Sequence, residues 1–238
     1  MPDNGGMKPV GKYFRLVLGC LSLSMVAAGL SPLSAQPVVQ QETLSTNPAQ
    51  AQQVETIICV RHGEKAKGGL GQLDAQGLNR ALALPDVLIT RYGKPSFIFA
   101  PDPVADKIGE GFQKQDVCYV RPLLTIGPTA IHCGLPIDTS FGYRHIDDLQ
   151  AQLDKPVYSN ALIFIAWEHV YAEKLMRNIV VSCGGQPGDV PFWHHDDFDS
   201  IYIAQITRTA DDHKSVHFHI EQEGLNGMSK RFPTPAAP

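Results

Sequence analysis

Apolar runs alternate with amphipathic stretches along most of this chain. The β-branched run at 54–60 and the fully apolar run at 161–166 suit buried strands of a parallel sheet. The remaining pattern predicts helices over 78–92, 122–132, 146–153 and 170–182, and strands over 96–100, 201–207 and 216–220. Strands that alternate with helices predict an α/β fold, built as a three-layer α/β/α sandwich with a mostly parallel central sheet.

The N-terminal segment has a different pattern. Basic residues from Lys8 to Arg15 precede an uncharged apolar stretch at 16–30, and small residues lead up to Ala35. A membrane span needs about 20 apolar residues, so this stretch is too short for one. The pattern predicts a secretory signal peptide over 1–35, and hence a periplasmic or secreted protein. An uncleaved anchor, or a lipoprotein acylated at Cys20, are the alternatives.

The rest of the chain divides into one domain and its flanks. Residues 36–52 are polar and lack a hydrophobic period, which predicts a flexible linker. A single folded domain is expected over 53–231, followed by a proline-rich, disordered tail over 232–238. Pro85 lies inside the first helical pattern, where we expect a kink or a restart.

Composition excludes some classes of partner. The formal net charge is −4, with 43% hydrophobic and 18% charged residues, which gives no basic surplus for nucleic acid. We expect no membrane attachment once the signal is cleaved. Four cysteines would remain, and export would permit disulfides. Cys59 is expected to be a buried thiol, whereas Cys118 and Cys133 could pair; the pairing with Cys183 is open.

Two histidines follow predicted strands directly. His62 comes after the first strand and His169 after the run at 161–166, each beside a charged residue. Ligands of parallel sheets bind beyond the carboxyl ends of the strands. If the two strands are neighbours, both imidazoles can share one pocket.

Four motifs carry a resemblance to a known family. They are Arg61-His62-Gly63-Glu64, the helix start at 73–84, the segment 121–130 with its arginine Arg121, and Trp167-Glu168-His169. In this order and on these elements they resemble the histidine phosphatase (phosphoglycerate mutase-like) superfamily. The resemblance implies the phosphoglycerate mutase-like version of the α/β fold.

The resemblance also implies an activity and a set of roles. His62 would attack a small-molecule phosphomonoester and form a phosphohistidine that water hydrolyses, with no metal and no organic cofactor. Arg61, His62, Arg121 and His169 would bind the phosphate. The chemistry agrees: neutral imidazole is a nucleophile at neutral pH, and guanidinium forks match phosphoryl oxygens.

The general acid stays open at this stage. Glu168 is favoured, Asp147 or Asp148 are alternatives, and Glu64 is a third candidate that could instead orient Arg61. The segment before Arg121 departs from the family pattern. Tyr119-Val120 precedes the arginine, and residues 101–118 look like an insertion over the pocket.

Other functions remain alternatives. A phosphoglycerate mutase-like phosphotransferase would keep water from the phosphohistidine, and a non-catalytic phosphate-binding protein could retain the pocket. The histidines at 194–195, 213, 217 and 219, together with Asp196 and Asp197, invite a metal-site hypothesis, which we rank lower because these segments are polar. The sequence does not specify the oligomeric state or the natural substrate.

Overall fold

The computed structural model describes residues 52–110 and 115–234. The predicted signal peptide and almost all of the predicted linker lie outside these residues, as do positions 235–238 of the predicted tail. The strands are β1 (Gln53–Arg61), β2 (Lys65–Ala66), β3 (Gly69–Leu73), β4 (Phe97–Phe99), β5 (Ile108–Glu110), β6 (Gln115–Val117), β7 (Leu162–Trp167), β8 (Ser200–Arg208) and β9 (Lys214–Gln222). The helices are α1 (Ala75–Tyr92), α2 (Arg121–Cys133), α3 (Ile146–Leu153) and α4 (His169–Ser182), with short 3₁₀ turns at Pro156–Tyr158 and Pro187–Asp189.

A five-stranded sheet in the order β4-β7-β1-β8-β9 forms the centre. Strands β4, β7 and β1 run parallel, as the sequence predicts, because helices connect them. Strands β8 and β9 are antiparallel additions at one edge, joined by a short turn. The small hairpins β2–β3 and β5–β6 lie outside the sheet and were not anticipated.

The central strand β1 supplies apolar side chains to both faces of the sheet. Ile57 and Cys59 belong to the core cluster that contains α3 and α4, and Ile58 and Val60 belong to the cluster that contains α1 and α2. Successive side chains of a strand point to opposite faces, so a continuous apolar run must be covered on both. The three-layer α/β/α prediction is therefore confirmed.

The helix boundaries follow from capping. The Asp74 side chain accepts a hydrogen bond from the Gly77 N–H at 2.9 Å, which starts α1 earlier than its apolar pattern suggests. Helix α1 continues through Pro85 to Tyr92, so the expected restart is wrong. Helix α2 ends at Gly134, whose φ of 62° is left-handed.

The cysteines that the structure describes are all free thiols. Cys59 is buried, as expected, and burial raises its thiol pKa. The Cys118–Cys133 disulfide is absent: the Cys118 thiol instead lies 2.9 Å from Lys107 Nζ, while Cys133 ends α2. None of the helices within 52–110 and 115–234 combines the length and apolar character that crossing a bilayer requires.

Candidate active site

The carboxyl ends of β1 and β7 bring the two sequence motifs together. Arg61 pairs with Trp167 in the parallel register, and the next residue, His62, donates its backbone N–H to the Trp167 carbonyl at 3.0 Å. The His62 side chain is buried at this sheet edge. Glu168 and His169 follow Trp167 directly, so both histidines stand at one edge, as the sequence predicts.

The environment of His62 fixes its tautomer and its charge. Nδ1 lies 2.7 Å from the Gly63 carbonyl oxygen. A carbonyl can only accept, so Nδ1 carries the proton and Nε2 keeps its lone pair. Burial, then the positive charge of Arg121, and then that of Arg61 lower the pKa of His62 well below 6.5. The ring is therefore a neutral nucleophile at neutral pH.

Arg61 is held by a loop from the far end of the chain. Its Nη1 donates to the backbone carbonyls of His194, His195 and Asp197 at 3.3, 2.8 and 2.7 Å. Its guanidinium carbon lies 3.9 Å from the centroid of the Phe198 ring. The Nε atom is buried and has no partner among the described residues. Arg61 is therefore oriented rigidly with a donor still to be satisfied.

Arg121, the first residue of α2, lies close enough to His62 to act on its charge and is paired with a carboxylate. Its two terminal nitrogens donate to Glu110 at 2.7 and 3.0 Å. Glu110 also accepts from the Gly71 N–H at 2.8 Å. Partial burial opposes ionisation, but the hydrogen bonds from Arg121 and Gly71 hold the pKa of Glu110 below its usual value. As in Arg61, the Arg121 Nε is buried without a partner in the described chain.

Two contacts fix the nucleophile loop against the helices. The Gly63 N–H donates to the Thr125 hydroxyl, which donates to the Arg121 carbonyl, both at 2.9 Å. Gly63 and Gly77 also pack backbone to backbone. A Cβ on Gly77 would collide with the backbone of Glu64, which explains why the motif at the start of α1 contains glycine.

Glu168 is the N-cap of α4 and the neighbour of His169. One carboxylate oxygen accepts from the N–H groups of Val170 and Tyr171 at 3.0 and 3.2 Å. The other lies 2.5 Å from Nδ1 of His169. Burial alone would raise the pKa of Glu168, but His169 and the helix N–H groups lower it. The structure thus places the favoured acid at the site, with its ionised form stabilised.

The three other acid candidates are exposed or paired with other residues. Asp147 is exposed on α3, with its carboxylate 3.2 Å from Lys174 Nζ, and Asp148 on the same helix is also exposed. Glu64 makes a two-pronged contact with Arg80, at 2.8 and 3.0 Å, and does not orient Arg61.

Arg80 is fully buried and ties Glu64 to the C-terminal segment. It contacts Asp199 at 3.0 Å and Glu223 at 2.5 Å. We call Arg80, Glu64, Asp199 and Glu223 the Arg80 cluster. Glu64 comes two residues after the nucleophile, and Asp199 two residues after the last carbonyl that holds Arg61. The cluster therefore links the two loops that form the pocket.

The metal-site hypothesis finds no ligand set in the structure. Within residues 52–110 and 115–234, no three His, Cys, Asp or Glu side chains converge as metal ligands. The rings of His217 and His219 stack on each other on β9. At 194–195 it is the backbone carbonyls that face the pocket, where they bind Arg61.

Comparisons with known proteins find likeness in fold only. No protein-family model and no curated protein matches the sequence. Among solved structures, a mycobacterial glucosyl-3-phosphoglycerate phosphatase in complex with inorganic phosphate is 12% identical, with a TM-score of 0.47; the match covers 71% of this chain and 97% of that one. A phosphoglycerate mutase from Plasmodium falciparum is 14% identical, with a TM-score of 0.44, and covers 78% and 98%.

A phosphoserine phosphatase mutant from Entamoeba histolytica, in complex with phosphoserine, is 11% identical, with a TM-score of 0.42 and coverage of 72% and 98%. All three are similar to this chain in fold alone. At TM-scores below 0.5 this likeness assigns no residue a role, so roles here rest on the contacts described above.

Sequence patterns alone do not identify several residues that surround the four motifs. Glu110 contacts Arg121, and Phe198 contacts Arg61. Both contacts form only when the chain folds, so the local sequence does not reveal them. The groups that hold Arg61 are backbone carbonyls, which every residue has, so no residue type in the sequence marks them. Tyr119, beside Arg121, was noticed only as a departure from the family pattern.

Proposed function

We propose that this chain is an exported phosphomonoesterase of the histidine phosphatase type, with His62 as nucleophile. The observation that carries the proposal is the state of His62: a neutral imidazole with Nε2 free, beside Arg61 and Arg121. Both arginines keep a buried, unpartnered Nε–H within the described chain. Buried donors are rarely left unpaired, and a phosphoryl group offers several acceptor oxygens. Export rests on the sequence of residues 1–35 alone.

The reaction would proceed in two balanced steps. Nε2 of His62 attacks phosphorus, the N–P bond forms, and the ester P–O bond breaks as the leaving oxygen takes a proton. Water then attacks phosphorus and gives a proton to the carboxylate that acted as the acid, the N–P bond breaks, and inorganic phosphate leaves. Arg61, Arg121 and His169 would stabilise charge on the non-bridging oxygens in both steps.

Glu168 would supply the proton to the leaving oxygen. In the free protein its carboxylate is stabilised by His169 and by two helix N–H groups. A phosphate dianion bound beside it would raise its pKa, because like charges disfavour ionisation. Asp147 and Asp148 are less suitable because both are exposed on α3.

Hydrolysis of p-nitrophenyl phosphate tests the activity. We expect turnover by the intact protein, and a loss of more than ~10³-fold in His62→Ala, because no other described histidine stands in that position. His213→Ala is the matched control, since His213 is exposed in the β8–β9 turn. Labelled substrate should leave acid-labile, base-stable label on His62.

The outcomes separate the candidate functions. Tight phosphate binding without turnover would support the non-catalytic alternative. Phosphoryl transfer to an added phosphoglycerate that exceeds hydrolysis would support the mutase-like alternative. Turnover that survives His62→Ala would refute the proposal.

The proton-donor role needs its own experiment. Glu168→Gln keeps an acceptor for the α4 N-cap but cannot protonate a leaving group. We expect it to slow alkyl phosphates by about 10²–10⁴-fold and p-nitrophenyl phosphate much less, because p-nitrophenolate leaves without a proton. Equal effects on both substrates would contradict the role of Glu168.

A further inference from the structure

The side chain of Tyr119 forms part of the wall of the phosphate pocket. Its ring meets the His62 ring edge-on, with centroids 5.9 Å apart and an interplanar angle of 89°. On the other side it packs against Tyr143 at 4.9 Å. The guanidinium carbon of Arg121 lies 4.7 Å from its ring centroid. Tyr119 is 1% exposed, and the charged groups that act on its hydroxyl, Arg121, Glu168 and Arg61, are those around His62.

The hydroxyl of Tyr119 has no hydrogen-bond partner in the described chain. No hydrogen bond of acceptable geometry joins it to Arg121, whose guanidinium lies over the Tyr119 ring, although Arg121 is close enough to lower the pKa of the hydroxyl in part. Leaving a buried hydroxyl unpaired costs stability, and a native structure rarely does so without a functional reason. The Nε atoms of Arg61 and Arg121 are in the same condition. Three unpaired donors thus cluster around His62.

A phosphoryl group is suited to satisfy all three donors. Its oxygens are acceptors only, and they point in several directions from one centre. Burial raises the pKa of Tyr119, and Arg121 opposes this only in part, so the hydroxyl keeps its proton at neutral pH and can donate. A neutral apolar group would leave all three donors unpaired.

The backbone fixes Tyr119 independently of any ligand. Its N–H donates to the Pro103 carbonyl at 2.9 Å, and the N–H of Val120 donates to the Gly71 carbonyl at 2.9 Å. The segment before Arg121 is therefore anchored both to the 101–118 insertion and to the β2–β3 hairpin. The hydroxyl is preorganised, so a hydrogen bond to the phosphate costs less conformational entropy.

We propose that the Tyr119 hydroxyl is a phosphate-binding group of this site, donating a hydrogen bond to a non-bridging phosphoryl oxygen together with Arg61 and Arg121. The proposal rests on the proposed function, because it takes the pocket around His62 as the phosphate site. It adds a donor at the position where the chain departs from the family pattern.

Tyr119→Phe tests the role of the hydroxyl by two measurements on the full chain. Inorganic phosphate is the probe, and calorimetry gives its Kd. We expect Kd to rise by roughly 10–100-fold, the usual effect of losing a hydrogen bond to a charged group. The Tm without phosphate should stay unchanged or rise, because the variant loses only an unpaired buried hydroxyl and keeps the ring.

Tyr158→Phe is the matched control and should behave in the opposite way. Tyr158 is also buried, but its hydroxyl accepts a hydrogen bond from the Gln152 amide at 2.8 Å. We expect its Tm to fall and its phosphate Kd to stay within twofold of the intact protein. The two substitutions delete the same atom, so they separate a ligand-directed hydroxyl from a structural one.

Two results would overturn the proposal. A Kd within twofold of the intact protein would show that the hydroxyl does not bind phosphate. A Tm for Tyr119→Phe that falls as far as that of Tyr158→Phe, or a variant that fails to fold, would show a structural partner for the hydroxyl. If the intact protein neither binds phosphate nor turns over p-nitrophenyl phosphate, the proposed function itself fails. Turnover by the intact protein with a normal Kd in Tyr119→Phe rejects Tyr119 alone.

Discussion

Glu223→Gln should change how the stability of this protein depends on pH. Glu223 shares the single buried guanidinium of Arg80 with Glu64 and Asp199. Burial outweighs the attraction of Arg80 and raises the pKa of Glu223 from 4.5 to about 8, with the neighbouring carboxylates adding to the rise. At pH 6 the folded state therefore holds a proton that the unfolded chain has released.

The sign and size follow from this difference. A folded-state pKa above the unfolded value stabilises the fold fully below about pH 4.5, and the stabilisation is lost as pH rises to about 8. One proton corresponds to a slope of up to ~1.4 kcal/mol per pH unit in the free energy of unfolding. Glutamine resembles the protonated acid and does not titrate, so the variant should lack this slope and become the more stable protein at pH 8.

Urea unfolding at pH 5, 6, 7 and 8 measures the difference. The informative quantity is the slope for intact protein minus the slope for Glu223→Gln. Glu55, whose pKa burial raises to about 7 despite Arg208, contributes equally to both and cancels. Glu221→Gln, two residues earlier near the end of β9, is the control, since Glu221 is partly exposed and accepts a hydrogen bond from the Tyr92 hydroxyl. Equal slopes for the intact protein and Glu223→Gln would refute the assignment.

Three further outcomes are expected. Gly77→Ala should lower Tm and activity together, at a cost of about 1–3 kcal/mol, because its Cβ would push the backbone of Glu64 and displace the nucleophile loop. The kcat/KM measured from pH 8 down to 5.5 should show no loss with a midpoint near 6.5, because the pKa of His62 lies well below that value. Glu110→Gln should tighten phosphate binding several-fold, measured by calorimetry, because it removes the carboxylate that neutralises Arg121.

Each of these outcomes has a result that would count against it. Gly188→Ala, where an added Cβ meets nothing, should be silent, and an equal loss there would discredit the Gly77 explanation. A kcat/KM that falls on acidification with a midpoint near 6.5 would place the pKa of His62 at its ordinary value. Weaker phosphate binding in Glu110→Gln would mean that the carboxylate orients Arg121 for the ligand.

Most of the sheet and all four helices were predictable because local patterns specify them. The run at 54–60 is apolar on both faces, and the structure buries both of its faces. The antiparallel pairing of β9 with β8 follows from the short connection between them, because a parallel pair needs a long crossover. The antiparallel pairing of β8 with β1 was not predictable, because the sequence pattern does not specify which strand β8 pairs with. Helix α1 tolerates Pro85 because the proline packs in the core, a tertiary effect that its position in the sequence does not reveal.

The sequence predicted the candidate-site residues that recognisable motifs mark. It did not predict the contacts that form only when distant segments pack together. His62, Arg61, Arg121 and His169 stand at element ends that their motifs mark, and the structure brings them to one edge of the sheet. The sequence could not distinguish between the acid candidates. Glu168 and Asp147 differ in their partners, His169 and Lys174, which only the folded structure shows.

The cradle of Arg61 has a consequence for biosynthesis. His62 and Arg61 leave the ribosome early, but the carbonyls that hold Arg61 lie more than 130 residues later, and Glu223 later still. A nascent chain that stops before residue 194 has His62 and Arg61 but lacks the carbonyls that hold Arg61. The orientation of Arg61 is therefore fixed only late in synthesis, after both partners of this contact have been made.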